Sequence, residues 1–186
     1  MMPDIYLASQ SPRRRELLSQ LGVKFEQFSV DADETPLINE SAYHLVERLA
    51  RLKAESGVAL GYHDKPVLGS DTVVVCDGTI MGKPADFSDF QGMMKLLSGR
   101  THEVLTAVAL ASTAKTDSLV VSTEVTFKAL TDAEIESYWH SGEPHDKAGG
   151  YGIQGRAGAF VTHLSGSYFA VMGLPLYETQ KLIAEF

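Results

Sequence analysis

The sequence predicts an α/β fold built on a mixed sheet. In its first part, short apolar runs alternate with stretches of helical periodicity, and its middle carries antiparallel hairpin signals between β-branched runs. With 186 residues, 44% hydrophobic and 22% charged, the chain has the material for one domain, or for two small lobes sharing a sheet. No internal repeat, low-complexity tract or linker divides it.

The elements follow in order. "IYLAS" (5–9) reads as a buried strand, and "SPRRRELLSQLG" (11–22) as a helix. Ser11 suits the N-cap, Pro12 the first helical position and Gly22 the stop. "VKFEQFSV" predicts a second strand. Ser41 caps a helix over 41–60, with Leu45, Leu49 and Leu52 on one face and Glu47, Arg48 and Arg51 opposite. In 65–84 a β-branched run ends at Asp77-Gly78, a strong hairpin turn. A helix over 86–99 stops at Gly99. "HEVLTAVALAS" and "SLVVSTEVTFKAL" read as strands paired through "TAKTD". Thr131 and Glu134 form a capping box at the next helix. Beyond a glycine-rich stretch come a strand "AFVTHL", the turn "SGS", a strand "YFAVMG" and a helix from Pro175.

The formal net charge of −8 makes the chain a poor binder of polymeric nucleic acid, whose non-specific affinity comes from Lys and Arg neutralising phosphates. A small anionic ligand is still open to it if a few cations are gathered in one place. Cys76, the single cysteine, excludes an internal disulfide and reads as a buried thiol. The N-terminus lacks a basic segment followed by an apolar one, and no apolar run approaches the ~18 residues of a membrane span. The expected location is the cytoplasm, with no membrane partner.

"DKAGGYGIQGRAGAF" (146–160) contains Gly150, Gly152 and Gly155 in the spacing G-x-G-x-x-G. A dinucleotide site needs a strand before that motif and a helix after it, because the helix N-terminus holds the pyrophosphate. The flanking segments read as a polar loop and a strand, so the dinucleotide reading fails. What stays open is a tight structural loop or a pocket wall displaying Gln154. No Walker A motif, zinc spacing or nucleophile elbow is present. His44, His63, His102, His140, His145 and His163 are scattered.

Arg13 and Arg14 fall in the first turn of the 11–22 helix, where positive charge opposes the helix dipole. A bound anion would relieve the conflict, held by free N–H groups, Ser11 and two guanidiniums. An exposed basic helix start is the plain alternative. Asp71 interrupts an apolar strand in "GSDTVV", and a carboxylate is costly to bury there unless paired or bound to metal. Lys83 in "GKP" and Glu34 in "DADE" complete the candidates. Together they supply cations for a polyphosphate and carboxylates for a hard divalent ion. Singly, each is also readable as a structural or surface residue.

"LASQSPRRRELLSQLG", "GSDTVV", "GKP", "LSGRTHEVLTAVAL" and "GEPHDKAGGYGIQGRAGAFVTHLSGSYFAVMGLPL" resemble, in order and over nearly the whole chain, the Maf family of nucleoside triphosphate pyrophosphatases. "SGEPHDKAGGYGIQG" resembles the dTTP/UTP branch, differing in "GG" at 149–150, where that branch often reads "GA". The resemblance implies that 1–186 is a single Maf-like domain, similar to the inosine triphosphate pyrophosphatases. Its fold would be an elongated mixed sheet with flanking helices, in two lobes around a cleft. It implies hydrolysis of dTTP and UTP, and of modified pyrimidine triphosphates, to monophosphate and pyrophosphate with a divalent cation, Mg²⁺ or Mn²⁺, and suggests a homodimer. Asp71 matches the family's catalytic base, and Ser11, Arg13 and Arg14 its phosphate-binding turn. Glu34, Lys53 and Lys83 match charged cleft positions. Arg13, Thr72 and Gln154 match those separating this branch from the 7-methyl-GTP branch. Glu34 and Asp71 are the candidate metal ligands. A 7-methyl-GTP pyrophosphatase and a nucleotide-binding regulator of septum formation are the alternatives.

Overall fold

A computed structural model describes residues 4–186. Its elements are β1 (Ile5–Ala8), α1 (Pro12–Gln20), β2 (Phe25–Phe28), α2 (Ala42–Ala59), β3 (Val67–Cys76), β4 (Thr79–Met81), α3 (Phe87–Leu97), β5 (Thr101–Ala111), β6 (Thr116–Phe127), α4 (Asp132–His140), β7 (Val161–Ser165), α5 (Tyr168–Met172) and α6 (Leu176–Glu185). Short 3₁₀ turns occupy Glu143–Asp146, Ala148–Gly150 and Arg156–Phe160. The strands form a seven-stranded sheet in the order β2-β1-β3-β5-β6-β7, with β4 paired to β3. β1 runs parallel to β2 and β3, whereas β3–β4 and β6–β7 are antiparallel, so the predicted mixed α/β sheet is present. No helix among the described residues is long and apolar enough to cross a membrane.

The chain divides into two compact units. One comprises the described residues up to Thr72 with Thr106–Val121 and Gly173–Phe186; the other comprises Val73–Leu105 and Ser122–Met172.

In the first unit, α1 and α2 provide the crossovers that parallel β1, β2 and β3 require. Ser11 and Ser41 cap these helices as predicted. α2 buries Leu45, Val46, Leu49, Ala50, Ala54 and Gly57, while Leu52 is only half-buried. The inward face is therefore turned toward small residues, not along the leucines alone. The reason is a close approach of backbones. A Cβ on Gly69 of β3 would meet the Ala50 carbonyl oxygen at 2.5 Å and the Ala54 nitrogen at 2.7 Å. Tyr6, Phe28 and Tyr62 close the other end of this layer, the last two stacked with centroids 3.8 Å apart.

In the second unit, β3 turns into β4 through Asp77 and Gly78, both at positive φ (49° and 75°), as a tight primed turn requires. Phe90, Tyr138 and Trp139 join α3 to α4, and Phe127, Tyr151, Phe160 and His102 form an adjoining aromatic cluster. The capping box at Thr131 and Glu134 forms as predicted. Two expectations change here. "YFAVMG" is not a strand, because Tyr168–Met172 is helical. The Ser167 hydroxyl accepts the Ala170 N–H at 3.1 Å, and this local cap overrides the β preference of an aromatic run. The strand predicted over 159–164 begins only at Val161, since Ala159 and Phe160 complete a 3₁₀ turn. That turn follows Gly155 directly, so no α-helix stands where a dinucleotide motif needs one.

Candidate active site

β1 ends at Ala8 and the chain turns through Ser9 and Ser11 into α1. The Ser9 hydroxyl accepts the Ser11 N–H at 3.2 Å, and the Gln27 amide donates to the Ser9 carbonyl at 2.6 Å. The Ser11 hydroxyl accepts the Arg14 N–H at 3.3 Å. The first turn carries no acidic residue, so beyond the Ser11 cap no side-chain charge in that turn offsets its positive end. Arg13 is half-buried beside it.

Arg14 is fixed at its head. Its Nε donates to the Gly173 carbonyl at 2.8 Å and its Nη2 to the Thr72 hydroxyl at 3.1 Å. The Thr72 and Thr106 hydroxyls lie 3.0 Å apart, and the Ser70 hydroxyl reaches the Ala107 and Gly173 carbonyls at 2.8 and 3.1 Å. Burial pushes the Arg14 guanidinium below its ordinary value, with Asp71 opposing that. An arginine so placed remains a cation.

Side chains alternate along a strand. Ser70 and Thr72 therefore serve the Arg14 side of β3, whereas Gly69 and Asp71 face α2. The close contact at Gly69 brings Lys53 of α2 within reach of Asp71. Lys53 Nζ lies 2.9 Å from Asp71 Oδ1 and 2.9 Å from Glu34 Oε1, so one ammonium bridges two carboxylates. Asp71 is only 8% exposed. Burial raises its carboxyl above the usual range, Lys53 and Arg14 pull it back, and Glu34 adds to the rise. A carboxylate raised but still flanked by cations suits proton acceptance from water.

The first unit thus gathers Ser11, Arg14, Lys53, Asp71, Thr72 and Glu34 into a connected set, with Arg13 on the same helix turn. Lys83 and Gln154 belong to the second unit, and both are exposed. Lys83 follows β4. Gln154 sits in a turn closed by Gly155 N–H on the Gly152 carbonyl at 3.1 Å. Glu143 braces this turn, accepting the Tyr138 hydroxyl at 2.7 Å and the Arg156 N–H at 3.2 Å. Tyr138 in turn accepts the Gly152 N–H at 3.0 Å. A Cβ on Gly155 would lie 2.3 Å from a Glu143 oxygen, so a side chain there would displace the Glu143 carboxylate from this brace.

Sequence reading missed Gly173, whose carbonyl accepts from Arg14, and Ser70 and Thr106, which bond the Gly173 carbonyl and the Thr72 hydroxyl in turn. Ser70 and Thr72 flank Asp71 in one apolar strand, and that polar run was the available signal. Thr106 and Gly173 are distant in sequence and carried none.

Among the described residues, no group of three or more His, Cys, Asp or Glu side chains is gathered as a metal cage. Glu34 and Asp71 place two carboxylates on the Lys53 ammonium, and carboxylate oxygen is the donor type a hard divalent cation takes. Mg²⁺ is typically held by one or two carboxylates plus substrate phosphates, not by a complete protein cage.

A family model described as "Maf-like protein" matches residues 4–186. A protein of Pseudoalteromonas translucida named "dTTP/UTP pyrophosphatase" is 69% identical over 182 residues, covering 98% of this chain and 96% of its own. One from Vibrio vulnificus with the same name is 55% identical, with full coverage of both chains. Among solved structures, the Staphylococcus aureus Ham1 protein aligns with a TM-score of 0.50 at 12% identity, covering 66% of this chain and 71% of that one, a likeness of fold alone.

Proposed function

The chain belongs to the Maf family, and from that premise we propose that it hydrolyses dTTP and UTP to the monophosphate and pyrophosphate. It is a hydrolase of the anhydride bond in nucleoside triphosphates, in keeping with the name shared by its full-length relatives. The observation that carries the reading is the joining, within one unit, of a Ser11-capped helix start with basic and no acidic residues in its first turn, the anchored Arg14 and the buried Asp71–Lys53 pair.

Phosphate oxygens meet the side chains of Ser11, Arg13 and Arg14 at the start of α1, and Lys53 offsets further charge; the family resemblance gives Lys83 the same task. Asp71 orients a water and accepts its proton as the oxygen attacks the α-phosphorus. The bond from that phosphorus to the bridging oxygen breaks, and pyrophosphate leaves. Positioning and electrostatics supply most of the rate in such transfers. Glu34 and Asp71 would hold a divalent cation, Mg²⁺ or Mn²⁺, which when bound neutralises charge on the phosphates. The family resemblance assigns base preference to Arg13, Thr72 and Gln154. The Gln154 amide offers the donor and acceptor that match the imide edge of uracil or thymine.

The test is turnover of a nucleotide panel (dTTP, UTP, CTP, 5-methyl-UTP, 7-methyl-GTP, ITP), with monophosphate and pyrophosphate measured separately. The expected result is both products from dTTP and UTP. Preference for 7-methyl-GTP would keep the reaction and overturn the base assignment. Binding of nucleotide without cleavage would favour a regulatory nucleotide sensor.

A further inference from the structure

Glu34 lies in the segment between β2 and α2, which has no regular secondary structure, and its side chain is half exposed at 51%. Ordering such a segment costs backbone entropy. A carboxylate on it can act at Asp71 and Lys53 only if something else holds the chain. The helical pattern placed Arg48 on the polar face of α2, with no evident task. Its guanidinium in fact grips Glu40 with two bonds, Nε to Oε2 at 2.7 Å and Nη2 to Oε1 at 2.9 Å. The same Nη2 donates to the carbonyl of Thr35, the residue next to Glu34, at 3.1 Å.

Glu40 is more than a surface partner. Its side chain is only 7% exposed, and its Oε1 also accepts the Leu37 N–H at 3.1 Å. The Glu40 N–H donates to the Leu37 carbonyl at 3.1 Å, and the Thr35 N–H to the Asp33 carboxylate at 3.0 Å. Residues 33–40 therefore close on themselves, and Arg48 ties the closed loop to α2 at Thr35 and at Glu40. The Glu34–Lys53 pair, 2.9 Å long, is a further attachment to the same helix. Arginine alone among side chains reaches both points with one planar fork.

We propose that Arg48, with Glu40, is a positioning residue that presents Glu34 to Lys53 and Asp71 by fixing the 33–40 loop on α2. The inference rests on the reading of Glu34 as part of the reaction site. Arg48 bonds the Glu40 carboxylate and the Thr35 carbonyl, and works through the loop.

The experiment compares Arg48→Ala, Arg48→Lys, Glu40→Gln, Glu34→Ala and the double variant Arg48→Ala/Glu34→Ala. It reads kcat/KM for UTP with Mg²⁺, and amide hydrogen exchange over 33–40 in the protein without nucleotide or metal. Arg48→Ala is expected to speed exchange in the loop while α2 stays protected, and to lower kcat/KM about 10- to 100-fold, as loss of an outer-shell partner does. Lysine holds one attachment at a time, so Arg48→Lys falls between wild type and Arg48→Ala on both readouts, and Glu40→Gln does likewise. The double variant should be no worse than Glu34→Ala, because both changes remove the same contribution. Faster loop exchange with unchanged turnover, or losses that add in the double variant, would overturn the proposal while leaving the role of Glu34 standing. Unchanged turnover in Glu34→Ala would remove that role, and the proposal with it.

Discussion

The ammonium of Lys53 lies 2.9 Å from the carboxylate of Asp71, yet Asp71 titrates above the usual carboxylate range because burial outweighs the pair. The folded chain therefore resists ionising Asp71 more than the unfolded chain does. A raised carboxyl contributes stability below its ordinary value and loses it as pH rises through the folded value.

Asp71→Asn should therefore separate stability from activity. Turnover falls at least about 100-fold, the usual worth of a general base. Melting temperature stays at or above wild type near neutral pH, since Lys53 keeps Glu34 as partner. The variant's advantage should widen as pH rises through the folded value of Asp71. Calorimetry over a pH series beside single-turnover assays checks both; normal turnover in a natively melting variant would sink the role of Asp71.

Gly69 sets the spacing that brings Lys53 to Asp71. A methyl group there meets backbone of α2 at 2.5 and 2.7 Å, and backbone cannot yield as a side-chain tip would. Gly69→Ala is expected to cost on the order of 1–3 kcal/mol by overpacking. If it folds, it should also lose turnover, since α2 must shift. A lowered urea midpoint with unchanged slope, measured beside kcat, tests this; an unaltered midpoint would mean that the helix and strand separate at little cost.

Thr72 holds one side of the Arg14 fork while Gly173 holds Nε. Thr72→Val removes the hydroxyl at nearly constant volume. Turnover efficiency should fall about three- to tenfold, the worth of one such bond, while Gly173 keeps Arg14 in place. Thr72→Ser should restore most of it. Equal losses in both variants would point to the methyl group of Thr72 and away from its hydroxyl.

His102 supplies an acid-side prediction in the second unit. It is buried, 2.6 Å from the Tyr151 hydroxyl through Nε2, and its Nδ1 has no partner among the described residues. Burial lowers it from 6.5 to about 4. A depressed histidine contributes stability above its ordinary value and loses it as pH falls toward the folded one. Wild-type melting temperature should therefore drop between about pH 6.5 and 4 more steeply than that of His102→Gln. Parallel curves would show that another group governs the acid limb.

Much of this molecule was legible in one dimension because its signals are local. Ser11 with Pro12, Ser41, the Thr131–Glu134 box and the Asp77-Gly78 turn act within a few residues, and each lies where predicted. Asp71 stood out because a carboxylate in an apolar strand needs an explanation at any position in the fold. "YFAVMG" was misread because aromatic β preference is weak beside the hydrogen bond that the Ser167 hydroxyl accepts from the Ala170 N–H.

The sequence by itself determined the order of elements up to the 168–172 segment, the polar interruption at Asp71 and the basic start of α1, since periodicity, capping and charge are properties of neighbours along the chain. Only the tertiary structure decided that Lys53 bridges Asp71 and Glu34, that Gly173 and Thr72 anchor Arg14, and that Arg48 ties down the loop bearing Glu34. Those pairings depend on how closely α2 can approach β3 and on where the distant Gly173 carbonyl comes to lie. Steric fit between segments remote in sequence sets both, and no local pattern encodes it.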